Sequence, residues 1–376
     1  MQTLIKNAKI ISVSGVGSGD ILIVNGRVKE TARHIYAARG AEVFNAKGAY
    51  VAPGFIDLHI HGYGGLGVEE CSADAVLEMS AGLAKRGVTG FCPTLYAGGK
   101  EQMLKNIAAL VPAFGKEKGA KILGLHAEGP FLSPQKPGVM PPKDILFPDV
   151  KFAQKLLDAS EGHLKIMTFA PETPGADELI KWAHKNNILL QAGHTNAAYE
   201  EMLSARKKGV THVTHMFNAM SSFMHRAPGA AGAAMMEDFS VEIIADGFHV
   251  HPAVVSFLGR VKAPEKIVLI TDSSRPTEQI SGGMTANHEP VKLEGGVFRR
   301  LSDNVIDGSA LTMIHGVKNL VSYGFSLQNA VMAASINPAN LIGLKNHAVK
   351  SGAKADLVVF DNKFDIKATF IDGKIA

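Results

Sequence analysis

The sequence predicts an α/β fold, a (β/α)8 TIM barrel over residues 51–349 with a small β-sandwich domain formed by residues 1–50 and 350–376. Three observations predict it. Eight short apolar runs recur through the middle of the chain, amphipathic stretches fill the gaps, and His, Glu and Asp residues gather where the runs stop. Strand and helix patterns in alternation imply a parallel sheet, and eight units are what a closed barrel needs. A chain of 376 residues holds such a barrel and a small appended module, with little to spare.

Taken in order, the first fifty residues hold the β-branched runs Leu4 to Ile11 and Ile21 to Val24, separated by the turn-rich pieces Ser14 to Asp20 and Asn25-Gly26. Ala355 to Phe360 and Thr369 to Ile371 read the same way, so the two ends are expected to pair in one sheet. The barrel runs are Gly54 to Ile60, Gly90 to Leu95, Ile122 to Leu125, Lys165 to Ala170, Ile188 to Ala192, His212 to His215, Val241 to Ala245 and Lys266 to Ile270. Between them, Ser72 to Lys85 opens on a Ser-Ala-Asp cap and stops before Gly87, and Ala198 to Lys208 is charged on one face and stops at Gly209. Ser281 to Phe298, flanked by paired glycines, breaks the rhythm and is expected to be a hairpin excursion after the eighth strand. No internal repeat is present, which excludes a solenoid.

Composition narrows the function class. A net charge of +4 with basic and acidic residues interspersed gives no basic patch for nucleic acid. No apolar run approaches the roughly 18 residues of a membrane span, and MQTLIKNAKI lacks a signal-peptide pattern, so a cytoplasmic protein is expected. Cys71 and Cys92 form no CxxC and are expected to be free thiols.

In a (β/α)8 barrel the reactive residues lie at the C-terminal ends of the strands, and here those ends carry metal ligands. Run one ends in His59-Ile60-His61, run three in His126-Ala127-Glu128, run five in His194, run six in His215, run seven in Asp246 and His249, and run eight in Asp272. Side chains two apart on a strand share a face, so His59 and His61 can share one ion, and Gly62, Gly64 and Gly65 after them leave an open mouth. Glu128, His194 and His215 make a three-ligand set with room for water, the pattern of catalytic zinc sites. Alternation puts His212 on the face opposite His215, outside the site, and His126 on the face of Glu128. Asp272, ending a buried strand at this rim, is placed to relay protons.

These residues also carry a resemblance. Pro53-Gly-Phe-Ile-Asp-Leu-His-Ile-His-Gly62, Leu125-His-Ala-Glu-Gly-Pro-Phe131, Ala192-Gly-His-Thr-Asn-Ala197, Thr214-His-Met-Phe-Asn-Ala-Met220, Leu269-Ile-Thr-Asp272 and Asp307-Gly-Ser-Ala-Leu-Thr-Met313 resemble, in order, the N-acetylglucosamine-6-phosphate deacetylases of the amidohydrolase superfamily. The resemblance implies that Glu128, His194 and His215 hold a principal divalent ion, Zn2+ foremost, with Fe2+, Mn2+ or Co2+ as alternatives. It implies Asp272 as catalytic acid and base, and although some family members replace the first-strand histidines and keep one ion, this chain retains His59 and His61, which leaves room for a second ion there. It implies that Asn218, Ala219, Arg226 and His249 contact an amino sugar phosphate, with Val139, Met140, Ile306, Asp307 and Gly308 around it, in a homodimeric enzyme.

Three departures from the family pattern matter, the first for polarising the acetamide oxygen and the other two for the sugar. Met140 stands near a position where the family often has His, and a thioether cannot donate a hydrogen bond to a carbonyl. Arg226-Ala227-Pro228-Gly229 replaces an Arg-Glu-Pro-Gly, and Ser273-Ser274-Arg275-Pro276 replaces a small-residue loop. The expected reaction is metal-assisted hydrolysis of an acetamide, with Asp272 protonating the departing amine. The nearest rival, a two-metal cyclic amidase resembling dihydroorotase, needs a carbamylated Lys at the fourth strand, and Lys165 to Glu172 ends without one. A non-catalytic sugar phosphate sensor is expected to have lost a ligand or Asp272, and neither is lost.

Overall fold

A computed structural model describes residues 2–376. Eight parallel strands form the barrel: β1 (Phe55–Ile60), β2 (Val88–Leu95), β3 (Leu125–Glu128), β4 (Leu164–Phe169), β5 (Leu189–Ala192), β6 (His212–Val213), β7 (Ser240–Ile244) and β8 (Ile267–Ile270). Each is followed by an outer helix: α1 (Ala73–Ala84), α2 (Lys100–Leu110), α3 (Val150–Ala159), α4 (Ala176–Asn186), α5 (Tyr199–Lys207), α6 (Gly229–Met236), α7 (Pro252–Val261) and α8 (Met313–Ser322). The Ser72 side chain accepts from Ala75 N and caps α1, as its sequence indicates.

The third apolar run divides. Lys121–Ile122 pairs with β2 alone, the chain turns at Gly124 with φ 154, and β3 begins at Leu125, so His126 and Glu128 lie within the strand rather than after it. The seam between β8 and β1 is closed at their ends: Asp272 N donates to His59 O at 2.9 Å and His61 N donates to Ser273 O at 2.9 Å. The barrel therefore closes through three of its proposed site residues, His59, His61 and Asp272.

The ends of the sequence meet as expected. One sheet runs Lys374–Ile375, Ile366–Ile371, Leu357–Phe360, Tyr50–Pro53, Gln2–Ser12, Gly15–Val24, Arg27–Ala32, with Glu42–Asn45 also pairing Gln2–Ser12. Ile5, Ile21, Ile23, Val51, Leu357, Val359 and Phe370 pack together as its own apolar core. Lys121 Nζ joins this sheet to the barrel, 3.0 and 2.9 Å from the carboxylate oxygens of the largely buried Asp356 and 2.7 Å from Asp372. The excursion after β8 is larger than a hairpin: Thr285–Ala286, Glu289–Glu294, Val297–Arg300 and Ile306–Ser309 form a four-stranded antiparallel meander. It leans over the barrel mouth, where Arg300 donates to Val139 O at 3.3 Å. No helix among the described residues is long and apolar enough to cross a membrane.

Candidate metal centre and substrate cavity

The ligands expected from the sequence converge at the barrel mouth. His194 Nε2 and His215 Nε2 lie 3.1 and 2.9 Å from Glu128 Oε1 and 3.2 Å from each other. His59 Nε2 and His61 Nε2 lie 3.2 Å apart, each 3.3 Å from a Glu128 oxygen and 3.5 and 3.4 Å from Asp272 Oδ1. Ligands about 2.0 Å from a tetrahedral cation stand roughly 3.3 Å from one another, so these separations suit an ion at the centre of each set. Glu128 belongs to both sets, one with His59 and His61 and one with His194 and His215.

The tautomers fit the same reading. His61 Nδ1 donates to Thr94 O at 3.1 Å, His194 Nδ1 to Lys136 O at 3.0 Å, and His59 Nδ1 to Glu242 Oε2 at 3.3 Å. With Nδ1 holding the proton, each Nε2 turns a lone pair to the centre, as metal-bound imidazoles require. Burial opposes charge on His61, yet its hydrogen bonds to Asp272 and Glu128 outweigh burial and raise its pKa to about 9. A pocket this rich in negative charge favours a cation. Burial would raise Asp272, but the imidazoles of His59 and His61 hold it well below the usual carboxylate range.

The local backbone is unusual where the ligands sit. His194, His215 and Asp272 have φ of 47, 22 and 49, in the left-handed region that side-chain-bearing residues avoid. Alternation along β6 therefore does not extend to His215. His212 turns into the barrel interior with its Nε2 3.6 Å from Glu242 Oε1, and the turn at His215 brings that ring to the mouth as well.

A cavity of about 290 Å³ opens beside the ligands. Its lining includes Gly138, Val139, Asn218, Ala219, His249 and Ile306 to Gly308, with Glu128, His61, His194, His215 and Asp272 on one wall. His249 Nδ1 donates to Asp246 Oδ2 at 2.6 Å. Burial opposes charge on His249, and this bond overcomes it and raises its pKa, which suits a residue facing an anion. Asp307 is fully buried with neither carboxylate oxygen partnered among the described residues, and burial pushes its pKa up to about 6.

Two of the expected substrate-binding residues do not line this cavity. Arg226 stands exposed on the turn closed by Met224 and Ala227, outside the cavity lining. Met140 is 2% exposed and packs with Ala97 and Leu132, so its thioether faces an apolar cluster while its neighbours Gly138 and Val139 face the cavity. The loop after Asp272 is a brace: Arg275 donates to Gly65 O at 2.9 Å and pairs with Glu70 at 3.1 Å.

Other contributors escaped the sequence. Tyr96, at the end of β2, stacks on His61 with ring centroids 3.8 Å apart and also lines the cavity. Beneath the ligands the barrel interior is polar: His126 lies 2.9 Å from Thr168 Oγ1, and Gln191 Nε2 donates to Glu242 Oε1 at 3.1 Å. Glu242 has the same parity along β7 as Asp246 just beyond the strand's end, and that parity was the available signal.

Known proteins show the same combination. Residues 50–376 match the model of the Amidohydrolase family. The chain is 35% identical over 332 residues to an N-acetylglucosamine-6-phosphate deacetylase of Bacillus subtilis, covering 86% of this chain and 84% of the relative. It is 32% identical over 335 residues to an N-acetylgalactosamine-6-phosphate deacetylase of Escherichia coli O157:H7, covering 87% of each. Among solved structures, a mutant N-acetyl-D-glucosamine-6-phosphate deacetylase of Mycobacterium smegmatis in complex with N-acetyl-D-glucosamine-6-phosphate matches at 30% identity with a TM-score of 0.92, over 100% of this chain and 99% of that one.

Proposed function

Since the chain belongs to the amidohydrolase family, we propose that it is a metal-dependent deacetylase that hydrolyses N-acetyl-D-glucosamine 6-phosphate to D-glucosamine 6-phosphate and acetate, in amino sugar catabolism. The observation that supports this reading is a cavity lined by His61, Glu128, His194, His215 and Asp272 together with residues that suit a sugar phosphate. The substrate and product are small molecules. We assign Zn2+ to the principal set of Glu128, His194 and His215 on the strength of its nitrogen and oxygen donors. A second ion at His59 and His61 would draw on Glu128 as well.

A divalent cation there supplies Lewis acidity, which makes water a competent nucleophile at neutral pH and stabilises charge developing on the acetamide oxygen. Asp272 takes a proton from the attacking water and passes it to the departing nitrogen as the carbon–nitrogen bond breaks. His249, held by Asp246, and the neighbouring Asn218 and Ala219 bind the phosphate end and fix the acetamide against the ligands. Val139 and Ile306 supply apolar walls against the sugar.

The free thiols Cys71 and Cys92 support a cytoplasmic setting, and Phe223 and Met224, 52% and 60% exposed beside Arg226, support a homodimer. The galacto epimer is the second reading, favoured by the likeness to the N-acetylgalactosamine-6-phosphate enzyme. Acetate release from Zn2+-loaded protein, measured on the gluco and galacto 6-phosphates and on unphosphorylated N-acetylglucosamine, tests both. The gluco phosphate is expected to be fastest. Faster turnover of the galacto phosphate replaces the sugar assignment, and no acetate from either phosphate overturns the function.

A further inference from the structure

Barrel interiors are ordinarily filled by layers of branched aliphatic side chains. Here a carboxylate occupies that place. Glu242, from the middle of β7, is fully buried, and a buried charge persists only where several partners compensate its lost hydration. Its partners come from three other strands or their ends. Oε2 accepts from His59 Nδ1 at 3.3 Å and from His215 N at 3.2 Å. Oε1 accepts from Gln191 Nε2 at 3.1 Å and faces His212 Nε2 at 3.6 Å.

A single oxygen thus touches both ligand sets. Toward His59 it holds the proton on Nδ1, leaving the Nε2 lone pair free and the ring more electron-rich. Toward His215 it secures the backbone N–H at the residue whose φ is 22, while the His215 ring gains nothing directly, since its Nδ1 has no partner among the described residues. Glu128 links the two sets on the cavity side, and Glu242 links them from beneath.

We propose that Glu242 is a positioning residue for the metal centre, and that losing its charge weakens the cation held by His59 and His61 more than the one held by His194 and His215. This rests on the metal-dependent reading above. Titrating metal-free protein with Zn2+ by calorimetry tests it, with Co2+ absorption as a second readout. Wild type is expected to bind two equivalents. Glu242→Gln keeps the shape and one acceptor oxygen but not the charge, and should bind one equivalent within about threefold of wild type and the other roughly 10- to 100-fold more weakly.

Wild type that takes up one equivalent only, or a folded Glu242→Gln protein that binds both with wild-type affinity, overturns the proposal. Wild type that binds no cation sinks the metal reading itself. If the variant does not fold, the wild-type protein still decides. In 15N-histidine spectra of the Zn2+-loaded protein, the signal lost in His59→Asn must show its proton on Nδ1, and a proton on Nε2 overturns the role assigned to Glu242.

Discussion

His194, His215 and Asp272 hold backbone conformations that each cost about 1–3 kcal/mol in a residue with a side chain, so the fold around them must impose those angles. The imposing contacts are specific. Ser133 N donates to His194 O at 2.8 Å, and Asp272 is gripped on both sides, donating to His59 O and accepting from Ser309 N at 2.8 Å. Strain of this kind is measurable. In metal-free protein, where ligation does not enter, His194→Gly is expected to be more stable toward urea than His194→Ala by about 1 kcal/mol, because only Gly accepts φ 47 without penalty. A more stable Ala variant would show that the backbone relaxes once the imidazole is gone. For Asp272, the expected defect is in rate. Asp272→Asn should retain bound Zn2+ and lose about 10²- to 10⁴-fold in kcat with KM little changed, since the proton transfers it mediates belong to the transition state. Near wild-type kcat would reassign the acid and base.

At the scale of elements, the strands act as rods that deliver one or two polar groups each to a common rim, and the segment Ile306–Ser309 is the piece that seals the rim beside Asp272. Gly308 shows how tight that seal is. Its φ is 75, and an added Cβ would lie 1.9 Å from Ser274 Oγ and 2.9 Å from Asp272 O. Gly308→Ala should therefore displace Asp272, lowering kcat by tenfold or more while the ligand sets keep their Zn2+ and melting temperature falls by only a few degrees. Loss of Zn2+ together with activity would mean that the disturbance spreads to the histidines. Most of this scale was legible in the sequence, because apolar runs of strand length ending in His, Glu or Asp announce both a strand and what it carries. The parts that were not legible share a physical cause. His212–Val213 is too short for alternation to govern His215, and α6 is so uniformly apolar that it shows no exposed face. Glu242 reads as a polar break in a strand until the partners that neutralise its burial come from four positions distant in sequence. Met140 and Arg226 were placed by analogy of position, and only packing reveals that one turns into an apolar cluster and the other out to solvent.

For the whole molecule, the sheet built from residues at both ends of the sequence packs Ile11, Ala52, Val358 and Phe360 into the barrel's apolar core, and Lys121 adds an ionic tie between the two. Its ammonium neutralises Asp356, which is 6% exposed, and reaches Asp372 as well. Lys121→Met keeps the aliphatic stem and removes the charge, leaving Asp356 with the backbone N–H of Asp372 as its remaining partner. Stability to urea is expected to fall by about 2 kcal/mol, the scale of losing a charged hydrogen bond, with kcat unaltered because the centre lies at the opposite pole of the barrel from Lys121 on β2's entry side. An unchanged urea midpoint would show that water replaces the ammonium. The same sheet has a temporal side. Tyr50–Pro53, which leads directly into β1, has Leu357–Phe360 as its antiparallel neighbour, with Ala52 opposite Val358. While the ribosome is still translating the barrel, that edge waits bare, and it is covered only when Leu357–Phe360 emerges. A chain cut short before residue 357 thus yields a barrel with an open, apolar strand edge, the kind of surface that chaperones and proteases recognise, and the fold carries its own check that synthesis passed beyond the barrel.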